Sequence, residues 1–91
     1  MDYEWDEAKR IANISKHGID FFDVPSVFDR SVLQWIDNRR PYGEVRCNAL
    51  GLLNDRIVSV SFTDREGVRR IISARKANDR EQRLYSALQA R

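Results

Sequence analysis

Arginines set the chemistry this chain could do. Of its 16 Lys and Arg residues 13 are Arg, and residues 46–91 hold ten basic side chains against five acidic ones. Residues 1–45 reverse the balance, six against nine. A guanidinium presents a planar fork of donors that fits phosphate oxygens and keeps its charge, so this half suits an anionic partner. Arg46, Arg65, Arg69 and Arg75 fall in the strand-like stretch, with Glu44 beside them. Such a group of cations could stabilise the extra charge that a phosphate gains in a transition state. It cannot take up a proton, so any reaction needs a further group. Glu44, flanked by Arg46 and Arg65, would be ionised and able to act as a base. His17 and Lys9 on a first helix, and Tyr85 on a last one, are the other candidates, with His17 or Tyr85 as acid. Each also has a plainer reading: a cross-strand ion pair for Glu44, a helix-end His beside Gly18, a solvated Lys9 and a packed Tyr85.

The elements that must position these groups follow from periodicity and turn residues. After a short Tyr3–Trp5 segment, Asp6 is placed as an N-cap. Ala8, Ile11, Ala12 and Ser15 then follow the spacing of an apolar helix face, and Gly18 ends the helix. Lys9, Asn13 and His17 align on its polar side. A second helical piece spans about 21–28 and is short or irregular because of Pro25. Four strands follow over 32–36, 44–53, 56–63 and 69–75. Asn54-Asp55 reads as a two-residue hairpin turn, and Glu66-Gly67 marks the next reversal. Asn78 and Glu81 form a capping box that opens a last helix with Leu84, Tyr85 and Leu88. The fold class is α+β: two N-terminal helices, an antiparallel sheet of about four strands and a C-terminal helix.

Register sorts the side chains into two faces. The Asn54-Asp55 turn pairs Leu53 with Arg56, which places Cys47 opposite Phe62, Ala49 opposite Val60 and Gly51 opposite Val58 on the core side. The other side receives Asn48 with Ser61, Arg46 with Thr63 and Glu44 with Arg65. For the following hairpin, a three-residue connection pairs Arg65 with Arg69, Phe62 with Ile72 and Ser61 with Ser73. A two-residue turn is rejected because it would bury Ser73 and Arg75. One polar face thus gathers Glu44, Arg46, Asn48, Ser59, Ser61, Thr63, Arg65, Arg69, Ser73 and Arg75. Trp35, on an edge strand, could stack on a base or a partner, whereas Trp5 anchors the first helix and Cys47 is a buried, inert thiol.

Composition excludes several classes. The 91 residues, 42% hydrophobic and 33% charged, suit a single domain over 1–91. No run approaches the roughly 18 apolar residues of a membrane span. The acidic opening Met1-Asp2-Tyr3-Glu4 lacks a secretory signature, so a cytoplasmic location is expected. A single Cys and a single His make neither an internal disulfide nor a multi-Cys/His zinc site, and neither metal nor cofactor is expected.

The order and spacing of these residues resemble the BrnT toxins. Trp5-Asp6-Glu7-Ala8-Lys9, Asn13, Lys16-His17-Gly18-Ile19 and Val27-Phe28 are similar to that family's opening. Asp37-x-Arg39 and Tyr42-Gly43-Glu44-x-Arg46 resemble its middle. Thr63-x-Arg65, Arg70-Ile71-Ile72-Ser73-Ala74-Arg75-Lys76-Ala77 and Glu81-x-x-x-Tyr85 resemble its close. The resemblance spans roughly 3–85, and Pro25 departs from the family's helix-forming residue. It implies a RelE/ParE-like fold and a ribonuclease of a bacterial type II toxin–antitoxin pair, which arrests translation by cutting RNA. Attack by a 2′-OH on a phosphate held by these arginines is then expected to make a metal-independent endoribonuclease that leaves a 2′,3′-cyclic phosphate. The resemblance also implies neutralisation by a BrnA-like DNA-binding antitoxin, with operator DNA reached only through that antitoxin. The motif positions carry over onto Lys9, His17, Glu44, Arg46, Thr63, Arg65, Arg75 and Tyr85. Arg69, Thr63, Ser61, Asn48 and Trp35 are the candidate RNA contacts. The rival is a non-catalytic module, or a degenerate toxin that only represses with its antitoxin, whose Arg face would bind an anionic partner without proton transfer.

Overall fold

The structure is a computed structural model and describes residues 1–90. Its elements run β1 (Asp2–Trp5), α1 (Glu7–His17), a 3₁₀ helix (Phe21–Asp29), β2 (Leu33–Ile36), β3 (Cys47–Leu53), β4 (Arg56–Arg65), β5 (Val68–Lys76) and α2 (Asp79–Gln89). The five strands form one sheet in the order β1-β5-β4-β3-β2. The fold is α+β, with a sheet one strand larger than expected. Tyr3–Trp5 is not a lead-in to the helix: β1 pairs parallel with β5, Asp2 against Val68 through Trp5 against Ile71. The sheet is therefore mixed rather than antiparallel. Four residues are too few to show a strand period, and the hydrogen bonds of β5 decide the matter.

The second helical piece is a 3₁₀ helix with Pro25 inside it. A proline interrupts an α-helical ladder, and short i→i+3 turns accommodate the missing N–H. Asp20 caps it by accepting from the Phe22 N–H at 3.0 Å. Phe21, Val24 and Val27 project from it and are fully buried against Ala49, Val58, Val60, Phe62, Ile71 and Ala74. On the opposite sheet face, Leu50, Ala77 and Tyr85 make a smaller cluster under α2.

The β3–β4 hairpin has the predicted register. Leu53 pairs with Arg56, Ala49 with Val60, Asn48 with Ser61 and Cys47 with Phe62. Asn54 and Asp55 both have positive φ, 50° and 64°, as a type I′ turn requires.

The β4–β5 hairpin corrects the prediction. Its turn is the rejected two-residue one, with Glu66 and Gly67 at φ 52° and 81° and Arg65 opposite Val68. Ser61 still meets Ser73, and Val60 still meets Ala74. A bulge reconciles the two ends: between Ser61 and Phe62 the partner jumps from Ser73 to Ile71, leaving Ile72 extra on β5. A bulge flips side-chain parity, so Ser73 and Arg75 stay on the polar face even though the turn is short.

Helix α1 also differs. Asp6 accepts from the Lys9 N–H, and Gly18 closes the helix at φ 70°, both as expected. Its orientation is reversed. Ile11 is 58% exposed, and Ala8, Ala12 and Ser15 are exposed too, while Asn13 is the residue it buries. Asn13 Nδ2 donates to the carbonyls of Ala74 and Ile19, both at 2.9 Å, and Asn13 Oδ1 accepts from the Ala74 N–H at 3.1 Å. Since β1 pairs with β5 only as far as Ile71, the amide of Asn13 takes the place of a neighbouring strand at Ala74. Two buried backbone groups otherwise left unpaired outweigh the burial of Ala8 and Ile11.

Candidate active site

The polar sheet face is organised as a row. Trp35 pairs with Asn48, Asn48 with Ser61 and Ser61 with Ser73, one residue from each of β2 to β5. The row floors a groove of about 580 Å³. Ser59 and Arg75 lie on the next row of the ladder, and Arg39, Arg80 and Glu81 close the walls. Arg75 is held by Glu81 in a two-point fork, Nη1 to Oε1 at 2.8 Å and Nη2 to Oε2 at 3.0 Å. That bond holds the Glu81 carboxyl below the usual carboxylate range. Glu81 also accepts from the Asn78 N–H at 2.9 Å as half of the capping box, so the start of α2 aims Arg75. Its Nη1 also donates to the Lys76 carbonyl at 3.2 Å, and Arg75, 42% exposed, lines the groove with its Nε hydrogen and one Nη2 hydrogen uncommitted.

Glu44, Thr63, Arg65 and Arg70 line a second groove, with Gly43, Val45 and Glu66. The single site expected on the polar face is therefore divided, and Glu44 and Arg75 line different grooves. Arg46 is braced more than presented. Its guanidinium lies 4.2 Å over the Tyr42 ring, and its Nε sits 3.5 Å from Glu44 Oε2, sealed from solvent and without a hydrogen bond. Glu44 thus has its ion pair with Arg46 in place of the expected Arg65. Thr63 Oγ1 donates to the Val45 carbonyl at 2.7 Å, tying this loop to β4.

Two candidates lie elsewhere. The bulge carries Arg69 to the core side, where it forks onto Asp64 at 2.8 Å and lies over the rings of Phe62 and Phe28 at 4.3 and 4.4 Å. Arg70 takes the polar-face position beside Thr63. Tyr85 is 2% exposed, and its hydroxyl donates to the Ser31 carbonyl at 2.8 Å. The hydroxyl anchors α2 to the segment before β2.

Lys9 and His17, with Lys16, line a shallower groove along the open edge of β5 together with Ile72 and Ser73. Ser73 is common to this groove and to the one holding Arg75. The first helix thus borders the polar face across a single residue. Cys47 packs against the core, and burial pushes its thiol up, in keeping with an inert role.

Residues 5–81 match the family described as the ribonuclease toxin, BrnT, of type II toxin–antitoxin systems. The chain belongs to the BrnT family. The match covers most of the 91 residues and takes in α1, all of β2 to β5 and the start of α2. No curated protein matches the chain. Membership makes this a ribonuclease toxin of a type II system, with an RNA target and an antitoxin partner implied. No helix among the described residues is long and apolar enough to cross a membrane.

Within this BrnT-family fold, sequence reasoning missed a knot in the loop after β2. Asp37, 8% exposed, accepts from the Arg39 N–H, Nε and Nη2 at 3.1, 2.9 and 2.8 Å and from the Tyr42 hydroxyl at 3.0 Å. The Arg39 guanidinium holds the Asp37 carboxyl far below the carboxylate range. Asp37 N–H also donates to the Arg46 carbonyl at 2.7 Å. The knot sets Arg39, itself 75% exposed, over the Arg75 groove. The spacing Asp37-x-Arg39 was visible; which face it would crown was not. Arg80 and Glu81 were likewise visible as residues of a helix start, while their approach to β5 depends on how α2 docks.

Proposed function

We propose that this toxin is a metal-independent endoribonuclease that arrests translation by cutting RNA across its polar sheet face. Arg75, with Arg39 and Arg80 beside it, holds the scissile phosphate and stabilises the charge that develops when a 2′-OH attacks. His17 takes the 2′-OH proton and returns one to the leaving 5′-oxygen, the two-way role that an imidazole can fill, with Lys9 and Lys16 adding positive charge. The products are a 2′,3′-cyclic phosphate and a 5′-OH. Glu44, which lines the other groove, is then not the base. Arg65 binds a flanking phosphate, Arg70 beside it being paired with Glu4, and Arg46 keeps the loop before β3 in place.

The observation that carries this reading is the sharing of Ser73 between the groove of Arg75 and the groove of Lys9 and His17. On this reading the Arg75 guanidinium, aimed by Glu81, and a proton carrier serve one phosphate from the two sides of Ser73. Tyr85, with its hydroxyl bonded to Ser31, has no part in the chemistry. The same reading includes a RelE/ParE-like single domain, a cytoplasmic location, and neutralisation by a BrnA-like antitoxin through which alone operator DNA is reached.

The test is cleavage of naked RNA and of translated message by the antitoxin-free chain in EDTA, with analysis of product ends. Cyclic phosphate ends are expected. RNA binding without cleavage in either reaction would make the polar face a docking surface and overturn the enzymatic reading.

A further inference from the structure

The Trp35–Asn48–Ser61–Ser73 row carries more than phosphate chemistry requires. Trp35 is 39% exposed, on an edge strand, at the end of the groove away from Ser73. An aromatic ring at the end of a polar floor is a stacking surface for a base. Beside it on the ladder, Asn48 has one end committed: Oδ1 accepts from the Ser61 hydroxyl at 2.7 Å. Its Nδ2 makes no hydrogen bond among the described residues. Of those residues only Arg46 Nε is both sealed from solvent and unbonded, so the amide nitrogen of Asn48, a residue only 9% exposed, keeps a narrow access to the groove it lines.

A free asparagine amide reads adenine by donating and accepting at once. Here Ser61 occupies the acceptor side, leaving Asn48 as a donor among the donors of Arg39 and Arg75. We propose that this row is a nucleobase subsite, Trp35 stacking on a base and Asn48 Nδ2 donating to O6 of guanine or O4 of uracil. At that edge the subsite prefers guanine or uracil, because the amino group that adenine or cytosine carries at the same position would meet a donor. This inference rests on the ribonuclease reading for its substrate, and it makes Asn48 a specificity determinant with Ser61 as its positioning residue.

Tryptophan fluorescence titration with 2′-O-methyl dinucleotides of all four bases reads the subsite without any cleavage. Wild type should show quenching with guanine and uracil probes at affinities about fivefold or more above those for adenine and cytosine, the low end for one good base-edge pair. Trp35→Phe should lose the quenching signal, and Trp35→Ala should bind every probe more weakly. Asn48→Asp, with an acceptor in place of the donor, should reverse the preference toward adenine and cytosine. Ser61→Ala frees the Asn48 amide to turn and should erase the preference without abolishing binding. It serves as the second variant if the carboxylate that Asn48→Asp buries prevents folding.

Equal affinity for all four probes in wild type would overturn the proposal. So would quenching that survives Trp35→Phe, or a preference unchanged by both Asn48→Asp and Ser61→Ala. The RNA assay separates the two readings. Discriminating binding without cleavage would remove the ribonuclease and keep the subsite, and cleavage without base preference would do the reverse.

Discussion

At the residue scale, the candidate bases that sequence alone leaves open differ in the groove each one lines. Glu44 is paired with Arg46 and lines one groove, whereas His17 lines another that shares Ser73 with the groove of Arg75. His17→Asn should lower RNA cleavage by about 100-fold or more, the usual weight of a proton carrier. Glu44→Gln should leave it within about threefold, since it would only weaken contacts beside the reacting phosphate. Single-turnover rates on one RNA decide between them, and the opposite ranking would return the base to Glu44. A second residue-scale prediction concerns acid. Glu81 has its native pKa depressed by the Arg75 fork, so it contributes stability above its unfolded value of roughly 4.3. That contribution is lost as pH falls through the lower native value. Glu81→Gln should lower Tm at neutral pH, and the gap to wild type should close as both are acidified. A gap that is independent of pH would show that the pair adds nothing.

At the element scale, α1 shows a local pattern overridden by backbone accounting. Of its apolar stripe Ala8, Ile11 and Ser15 face outward, while Lys9, Asn13 and His17, with Ala12 and Lys16, line the groove along the open edge of β5. Asn13→Ala would strand the Ala74 N–H and carbonyl and should cost about 2–4 kcal/mol in urea unfolding. Ile11→Ser, at a site 58% exposed, should change stability by less than about 0.5 kcal/mol. The reverse order would restore the amphipathic reading of the helix. The β4–β5 hairpin teaches a related lesson. Both the turn chemistry of Glu66-Gly67 and the pairing of Ser61 with Ser73 were readable, and they conflicted by one residue until the bulge at Ile72 absorbed the difference.

At the scale of the whole molecule, the sheet separates a packing layer from a chemical one. The 3₁₀ helix lies close over β3: a Cβ on Gly51 would come within 2.5 Å of Val27 Cγ1 and 3.1 Å of Val32 Cγ1. Gly51→Ala should therefore cost about 1–3 kcal/mol through overpacking, lowering Tm. A neutral substitution would mean that the two layers separate more easily than their contacts imply. Across the sheet, α2 covers Leu50 and leaves the Trp35–Ser73 row open. The docking of one helix thereby sets both the second core cluster and the length of the groove.

Much of the fold was legible because its signals are local. Caps at Asp6, Gly18, Asn78 and Glu81, the Asn54-Asp55 turn and the alternation of β3 and β4 each depend on neighbours a few residues apart. Together they specify α+β order, the β3–β4 register and a polar face holding Asn48 and Ser61; Ser73 and Arg75 join that face through a bulge that no local signal marks. The resemblance to BrnT toxins was legible for the same reason, as motifs in fixed order. Long-range hydrogen bonds decided the rest. The parallel pairing of β1 and the turning of α1 about Asn13 satisfy backbone groups whose partners lie far away in sequence, whereas the passage of Arg69 to the core side follows from the bulge at Ile72. The division of the expected site into separate grooves, and the sharing of Ser73 between the groove of Arg75 and that of His17, follow from those choices. Composition and periodicity carry no record of which distant carbonyl a side chain must satisfy, so only the assembled sheet could place the chemistry.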